Sequence, residues 1–247
     1  MKKVNWQILL GLILALLSAI LYFVHYLIFR DAHHIFLYLI GDIAFLPIEV
    51  LFVTLIIDRV LSVREKKTML EKLNMVIGAF FSEVGLKLIY LFEEFDLNAA
   101  AIKKDLADID KWKNKDFLRQ SGKIDKYKCN INSKQGNLDE LKTFLSQKRT
   151  FLLRLLENPN LLEHESFTAL LWAVFHLTEE LEYRNGFKDL PDTDYNHLSG
   201  DIKRAYLLII KEYLAYIKHL KTNYPYLFSL ACRTNPFNDE ASPIVND

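Results

Sequence analysis

The chain has 247 residues, a formal net charge of zero and an apolar fraction of 51%, so no global charge imbalance points to a nucleic-acid partner. Two cysteines, Cys129 and Cys232, are too few and too far apart for a thiolate metal cage or a disulfide framework, and they suit a reducing compartment. Eight glycines and six prolines in the whole chain argue against an all-β or low-complexity architecture.

The first apolar run, Ile8–Phe29, follows Lys2 and Lys3 and holds no formally charged residue. At ~1.5 Å per residue it reaches ~33 Å, close to the ~30 Å hydrocarbon thickness of a bilayer. It continues well past Ala19, too far for a signal-peptide core, and so predicts a retained anchor. The polar stretch RDAHH at 30–34 predicts a turn, and Ile35–Ile57 predicts a second span, ended by Asp58 and Arg59. Arg59, Arg64, Lys66, Lys67 and Lys72 then cluster where lipid headgroups are expected. With Lys2 and Lys3 at the other end and only Arg30 in the turn, the positive-inside rule predicts a multi-pass protein of the cell (inner) membrane with both termini cytoplasmic.

The second span carries two carboxylates, Asp42 and Glu49, with Pro47 between them. Each central carboxylate costs ~2.5–3.5 kcal/mol on the insertion scale, a large share of what the apolar residues of the span supply. The first span offers a face of small and polar residues at helical spacing: Gly11, Ala15, Ser18, Tyr22 and His25. Folding the pair about residue 32 sets Tyr22 level with Asp42 and Ala15 level with Glu49. Tyr22 and His25 are therefore expected to hydrogen-bond Asp42, while Ser18, about a turn away, is the nearest polar group to Glu49. Glu49 reads either as a carboxyl holding helices or protomers together, or with Asp42 as the lining of an ion or proton path in a homo-oligomer.

The segment 73–92 is nearly long enough to span, but Glu83 and Lys87 lie inside it and charged flanks bound it. It is expected as a juxtamembrane helix, buried in a soluble core or lying along the bilayer. Residues 99–112 predict a helix with Asn98 as N-cap. The region 103–128 is rich in lysine, a solvated face or a contact for anionic lipid, and 130–137 reads as a loop. Leu141, Phe144, Leu145, Lys148, Leu152, Leu155 and Leu156 share one side of a helix that Asn158 and Pro159 stop. A helix from about His164 to Arg184, one from about Tyr195 to Thr222, and a short aromatic helix after Tyr224 follow, and 235–247 reads as a polar, frayed tail. Trp172, Phe175, Tyr206, Tyr213, Tyr216 and Tyr224 lie at helical spacings expected of a packed aromatic core.

The expected fold is all-α: a two-helix transmembrane hairpin followed by a cytoplasmic antiparallel helical bundle. The hairpin occupies 1–62, a juxtamembrane basic segment and apolar helix 63–97, the bundle 98–237 and the tail 238–247. Its expected partners are the lipid bilayer and further copies of itself through the transmembrane helices. No phosphate loop, nucleophile elbow, dinucleotide fingerprint or zincin motif is present, so the expected role is a non-enzymatic scaffold or interaction module. One constellation retains chemistry. His176 with Glu180 and His197 with Asp201 are i,i+4 pairs on consecutive helices, and Glu179 lies beside them. Imidazole and carboxylate in a helical protein suit a divalent metal and, with it, a membrane-tethered enzyme; a polar network tying two helices together is the alternative.

Overall fold

The computed structural model describes residues 6–159, 161 and 164–245, the side chains of Gln7 and residues 65–71 excepted. The protein is all-helical. Among the described residues there is no strand, and Asp96 and Ile131 form an isolated antiparallel bridge. The chain divides into two compact units, 1–66 and 67–247.

The first unit holds α1 (Trp6–Phe29) and the beginning of α2 (Ala32–Phe80). Arg30 adopts a left-handed backbone, φ 50°, and turns the chain. The Asp31 carboxylate then accepts from the backbone N–H groups of His33 at 2.9 Å and His34 at 3.3 Å, an N-terminal cap for α2. The hydropathy of the second run ends at Ile57, yet α2 continues to Phe80. No glycine or proline lies between Pro47 and Gly78, so nothing local breaks the helix where the apolar character stops.

Among the described residues, three helical stretches are long and apolar enough to cross a membrane: Ile8–Phe29, Ala32–Arg64 and Lys72–Glu93. They differ in surroundings. The most apolar windows of the first two have no buried residue, and half of the third is buried. The third stretch belongs to the core of the second unit, where Leu73, Ile77, Phe80, Phe81, Leu88 and Phe92 are all buried.

The second unit continues from α2 through one turn of π-helix (Phe81–Gly85) into α3 (Leu86–Glu93). Then follow α4 (Ala99–Leu106), a 3-10 turn (Ile109–Lys111), α5 (Asn114–Ile124), α6 (Leu138–Leu156), α7 (Glu165–Glu182), α8 (Asp192–Asn223) and α9 (Pro225–Arg233). Asn98 stands before α4 without capping it. Its side-chain amide donates to the Lys128 carbonyl instead, at 2.8 Å. α7 packs against both α6 and α8, and α5 and α9 also lie on α8. α8 is therefore the central helix, burying Leu198, Ile202, Tyr206, Ile209, Tyr213 and Ile217 along one face.

Aromatic rings join the elements. Phe80 meets Phe167 edge-on at 5.3 Å, Phe81 stacks on Tyr216 at 5.1 Å, and Phe92 meets Tyr206 at 6.1 Å. Tyr206, Tyr213 and Phe175 are core residues, but Trp172 is 57% exposed, which corrects its expected place in that core. α7 carries buried residues on more than one side, and Trp172 falls on the sector that neither neighbour covers.

Two segments read as loop or tail are tied to the core. Ser133 donates its hydroxyl to the Tyr195 carbonyl at 2.7 Å and its backbone N–H to Ser199 Oγ at 3.0 Å. Beyond α9, Asn235 and Phe237 are buried, and the Asn235 amide donates to the carbonyls of Leu106 and Ala107 at 2.8 and 3.1 Å.

Candidate functional site

Ser18, Tyr22, His25 and Asp42 do gather in the first unit, around a cleft of about 540 Å³ that His34 and Tyr38 also line. The hydrogen bonds expected from Tyr22 and His25 to Asp42 do not form among the described residues. His25 Nδ1 is buried without a hydrogen-bond partner, and its ring lies parallel to that of His34 at 6.0 Å. His34 in turn meets Tyr38 edge-on at 4.7 Å. Of the small residues on that face of α1, Gly11 has open space beside it: a Cβ there would meet nothing within 4 Å. Glu49 is exposed on α2. Of the residues expected at lipid headgroups, Arg59, Arg64 and Lys72 are exposed, while the side chains of Lys66 and Lys67 lie outside the described residues.

In the second unit, α7 and α8 bring His176, Glu180, His197 and Asp201 together. The helical period sets His176 above Glu180 on α7 and His197 above Asp201 on α8, and the short connection between these helices puts both pairs side by side. His176 Nε2 lies 3.9 Å from Glu180 Oε1 and 3.6 Å from Asp201 Oδ2. His197 Nε2 lies 3.6 Å from Glu180 Oε2 and 3.3 Å from Asp201 Oδ2. Each imidazole thus aims the same ring nitrogen at both carboxylates. Glu179, adjacent in sequence, faces away toward Arg149 on α6, with Oε1 at 3.9 Å from the guanidinium.

Burial grades across the cluster. The side chains of His176 and His197 are 45% and 50% exposed, that of Glu180 27%, and that of Asp201 only 4%. Two arginines not recognised as part of the site hold the carboxylates from outside. Arg204 contacts Asp201 Oδ1 at 3.0 Å, and Arg184 contacts Glu180 Oε2 at 2.7 Å. Arg184 also donates to the Glu180 carbonyl and grips Asp194 with two further donors. Its hydrogen bond is the main reason the Glu180 carboxyl is held below the usual carboxylate range, with burial opposing. The signal for Arg184 was present in the sequence as an i,i+4 partner of Glu180; for Arg204 it was the i,i+3 spacing from Asp201.

These features define a class: an all-helical protein with a largely uncovered N-terminal apolar helix pair and, in its second unit, a histidine–carboxylate cluster open to solvent on one side. The comparisons give the particular family. Residues 2–61 match the family described as "MJ1433, N-terminal helical domain", and residues 69–233 match "Uncharacterized protein MJ1433, C-terminal helical domain". The uncharacterized protein MJ1433 of Methanocaldococcus jannaschii is 44% identical over 247 residues, covering 100% of this chain and 99% of that protein. The chain belongs to the MJ1433 family. No solved structure matches it.

Proposed function

We infer that the protein is a membrane-anchored helical module. α1 and the first part of α2 cross the bilayer as a hairpin, and residues from about 67 onward form a cytoplasmic helical bundle that serves as a non-enzymatic scaffold or interaction surface. The observation that carries this reading is the uncovered apolar surface of the first unit. Its two windows have mean hydropathies of 2.5 and 2.2 with no residue buried. Leu16, Ile28, Ile40 and Phe52 are 64%, 67%, 68% and 60% exposed. Contiguous apolar surface on this scale is unstable against water, and lipid is the solvent that suits it. Lys72–Glu93, by contrast, is half buried, with Leu73, Ile77, Phe80, Phe81, Leu88 and Phe92 in the helical core, which supports two crossings rather than three.

Asp42 and Glu49 favour a second reading, in which the hairpins assemble and these carboxylates line an ion or proton path. Both side chains are uncovered within α2, and a carboxylate left facing lipid is costly. Reconstituted wild-type protein would then conduct, and Glu49→Gln would reduce the flux; a monomer in detergent ends this reading.

The anchor is tested by labelling intact and permeabilised cells with a membrane-impermeant maleimide, using a Cys232→Ala background. Ala32→Cys, at the exposed N-terminus of α2, is expected to label in intact cells. Leu118→Cys, 67% exposed in the native protein, is expected to label only after permeabilisation. The opposite pattern overturns the orientation, and release of the protein from membranes by alkaline carbonate overturns the anchor.

A further inference from the structure

We propose that His176, Glu180, His197 and Asp201 bind one divalent first-row transition-metal ion of the zinc or manganese class, between α7 and α8. The cluster already has the dimensions of a coordination shell. Ligand bonds of ~2.0–2.1 Å in a tetrahedral site set neighbouring donors ~3.3–3.4 Å apart. Here the imidazole-to-carboxylate separations run 3.3, 3.6, 3.6 and 3.9 Å. One donor atom each from His176, Glu180 and His197 also lie within 4.8 Å of one another. Closing such a cage needs the donors to draw together, and the part-exposed side chains of His176, His197 and Glu180 have room to do so around the buried Asp201.

A second observation, independent of the spacing, points to a cation. Asp201 Oδ2 is buried and accepts no hydrogen bond, although two imidazole nitrogens lie within 3.6 Å of it. A buried carboxylate oxygen without a partner costs about 1–3 kcal/mol or more. Arg204 does not relieve it, because that guanidinium takes Oδ1. A metal ion between the two imidazoles and Oδ2 would satisfy this oxygen and use both imidazole lone pairs at once.

The remaining contacts fit a supporting shell. Asp201 has Oδ1 on Arg204 and Oδ2 facing both imidazoles, whereas Glu180 turns Oε1 to His176 and shares Oε2 between Arg184 and His197. Such outer contacts fix the orientation of ligating carboxylates. Arg184 adds little net repulsion, because Asp194 shares its charge. The donors are nitrogen and oxygen only, which selects ions of the zinc, iron and manganese type over those that prefer thiolate. The half-exposed imidazoles keep the site reachable from solvent, so an added ion can enter it.

The test uses the full chain, purified in detergent and freed of metal with a chelator, titrated with Zn²⁺ against a fluorescent competitor. Saturation at one ion per chain is expected. Asp201→Asn and His176→Gln should each weaken the affinity at least about 10-fold. Glu179→Gln should leave it unchanged, because that side chain faces Arg149. Co²⁺ in place of Zn²⁺ should give visible d–d absorption that His176→Gln diminishes, a readout that a merely structural polar network would not produce. Asp201 is buried, and its variant is therefore checked by helical content; His176→Gln, at a half-exposed position, carries the test if Asp201→Asn unfolds. Absence of one-to-one binding in the wild type, or equal affinity in the wild type and His176→Gln, overturns the proposal and leaves a metal-free network joining α7 to α8. Both results are independent of whether the first unit crosses a membrane.

Discussion

Arg184 grips Asp194 as a fork, Nε to Oδ2 at 2.8 Å and a terminal nitrogen to Oδ1 at 2.6 Å. The guanidinium leaves the C-terminal end of α7, and the carboxylate sits in the first turn of α8, so this pair fixes the corner between the two helices that carry the histidine cluster. Arg184 is the more buried member, with 16% of its side chain exposed, and Glu180 takes its other terminal nitrogen. Replacement by Gln or Lys loses the bidentate geometry. The expected cost is about 1.5–3 kcal/mol, the range for hydrogen bonds to charged groups, kept modest because both carboxylates retain access to water. Denaturant unfolding of wild type and Arg184→Gln measures it; equal midpoints refute the assignment.

The same corner gives stability a pH dependence. Asp194 and Glu180 are both held below the ordinary carboxylate range, chiefly by the Arg184 hydrogen bonds. Unfolding returns them to values near 4, so below that range the unfolded chain binds protons that the native state refuses. Their contribution is complete above about pH 5 and is lost as the pH falls through the lowered native values. Thermal unfolding between pH 6 and pH 3 should show a decline that is shallower in Arg184→Gln. An identical decline in both proteins counts against the linkage.

Asp96 organises a buried corner after α3. Its Oδ2 accepts from the Tyr127 hydroxyl at 2.6 Å and the Cys129 thiol at 3.6 Å, and its Oδ1 accepts from the backbone of Asn98 and Asn130 at 3.1 and 3.0 Å. Burial, with Asp96 beside it, pushes the Cys129 thiol up to about 12, and burial pushes Cys232 up to about 11. A thiol displaced this far carries much less thiolate at neutral pH than an ordinary one, and the thiolate is the reactive form. Alkylation of native protein at pH 8 should therefore be slow at both cysteines and slowest at Cys129, then fast in denaturant. Asp96→Ala should lower stability by about 3 kcal/mol, since several buried donors lose their acceptor, and should speed labelling of Cys129. Rapid labelling of native Cys129 would show that this corner opens.

Gly136 is a site of close approach. A Cβ there would lie 2.6 Å from two atoms of the Phe95 ring, and Phe95 is itself 1% exposed, so the ring has nowhere to retreat. Gly136→Ala is expected to cost about 1–3 kcal/mol, the usual range for overpacking. Phe95→Leu in the same chain should recover part of that loss by making room, and the pair of unfolding midpoints measures the coupling. Additive effects would place the strain elsewhere.

Much of this protein was legible along the chain because helices announce themselves locally. Apolar length, the Pro159 stop and the 3.6-residue period of Leu141, Leu145, Leu152 and Leu155 depend on neighbours in sequence, and they predict helices close to those observed. The i,i+4 pairing of His176 with Glu180 and of His197 with Asp201 is likewise a local property. What lay beyond the sequence was the partner of each face. Glu179 and Glu180 are adjacent and chemically alike, yet one turns to Arg149 and the other to the histidines, because about 100° of helix rotation sends them to different neighbours. Trp172 follows the helix period and still faces solvent, because among the described residues no element packs over its sector of α7. Propensity carried α2 past the end of its apolar run to Phe80, and only packing buried Phe80 and Phe81 in the core of the second unit. Asp201 is the sharpest case. Nothing in its spacing distinguishes it from a solvated carboxylate, and its 4% exposure and unpartnered Oδ2 arise only where α7 closes against α8.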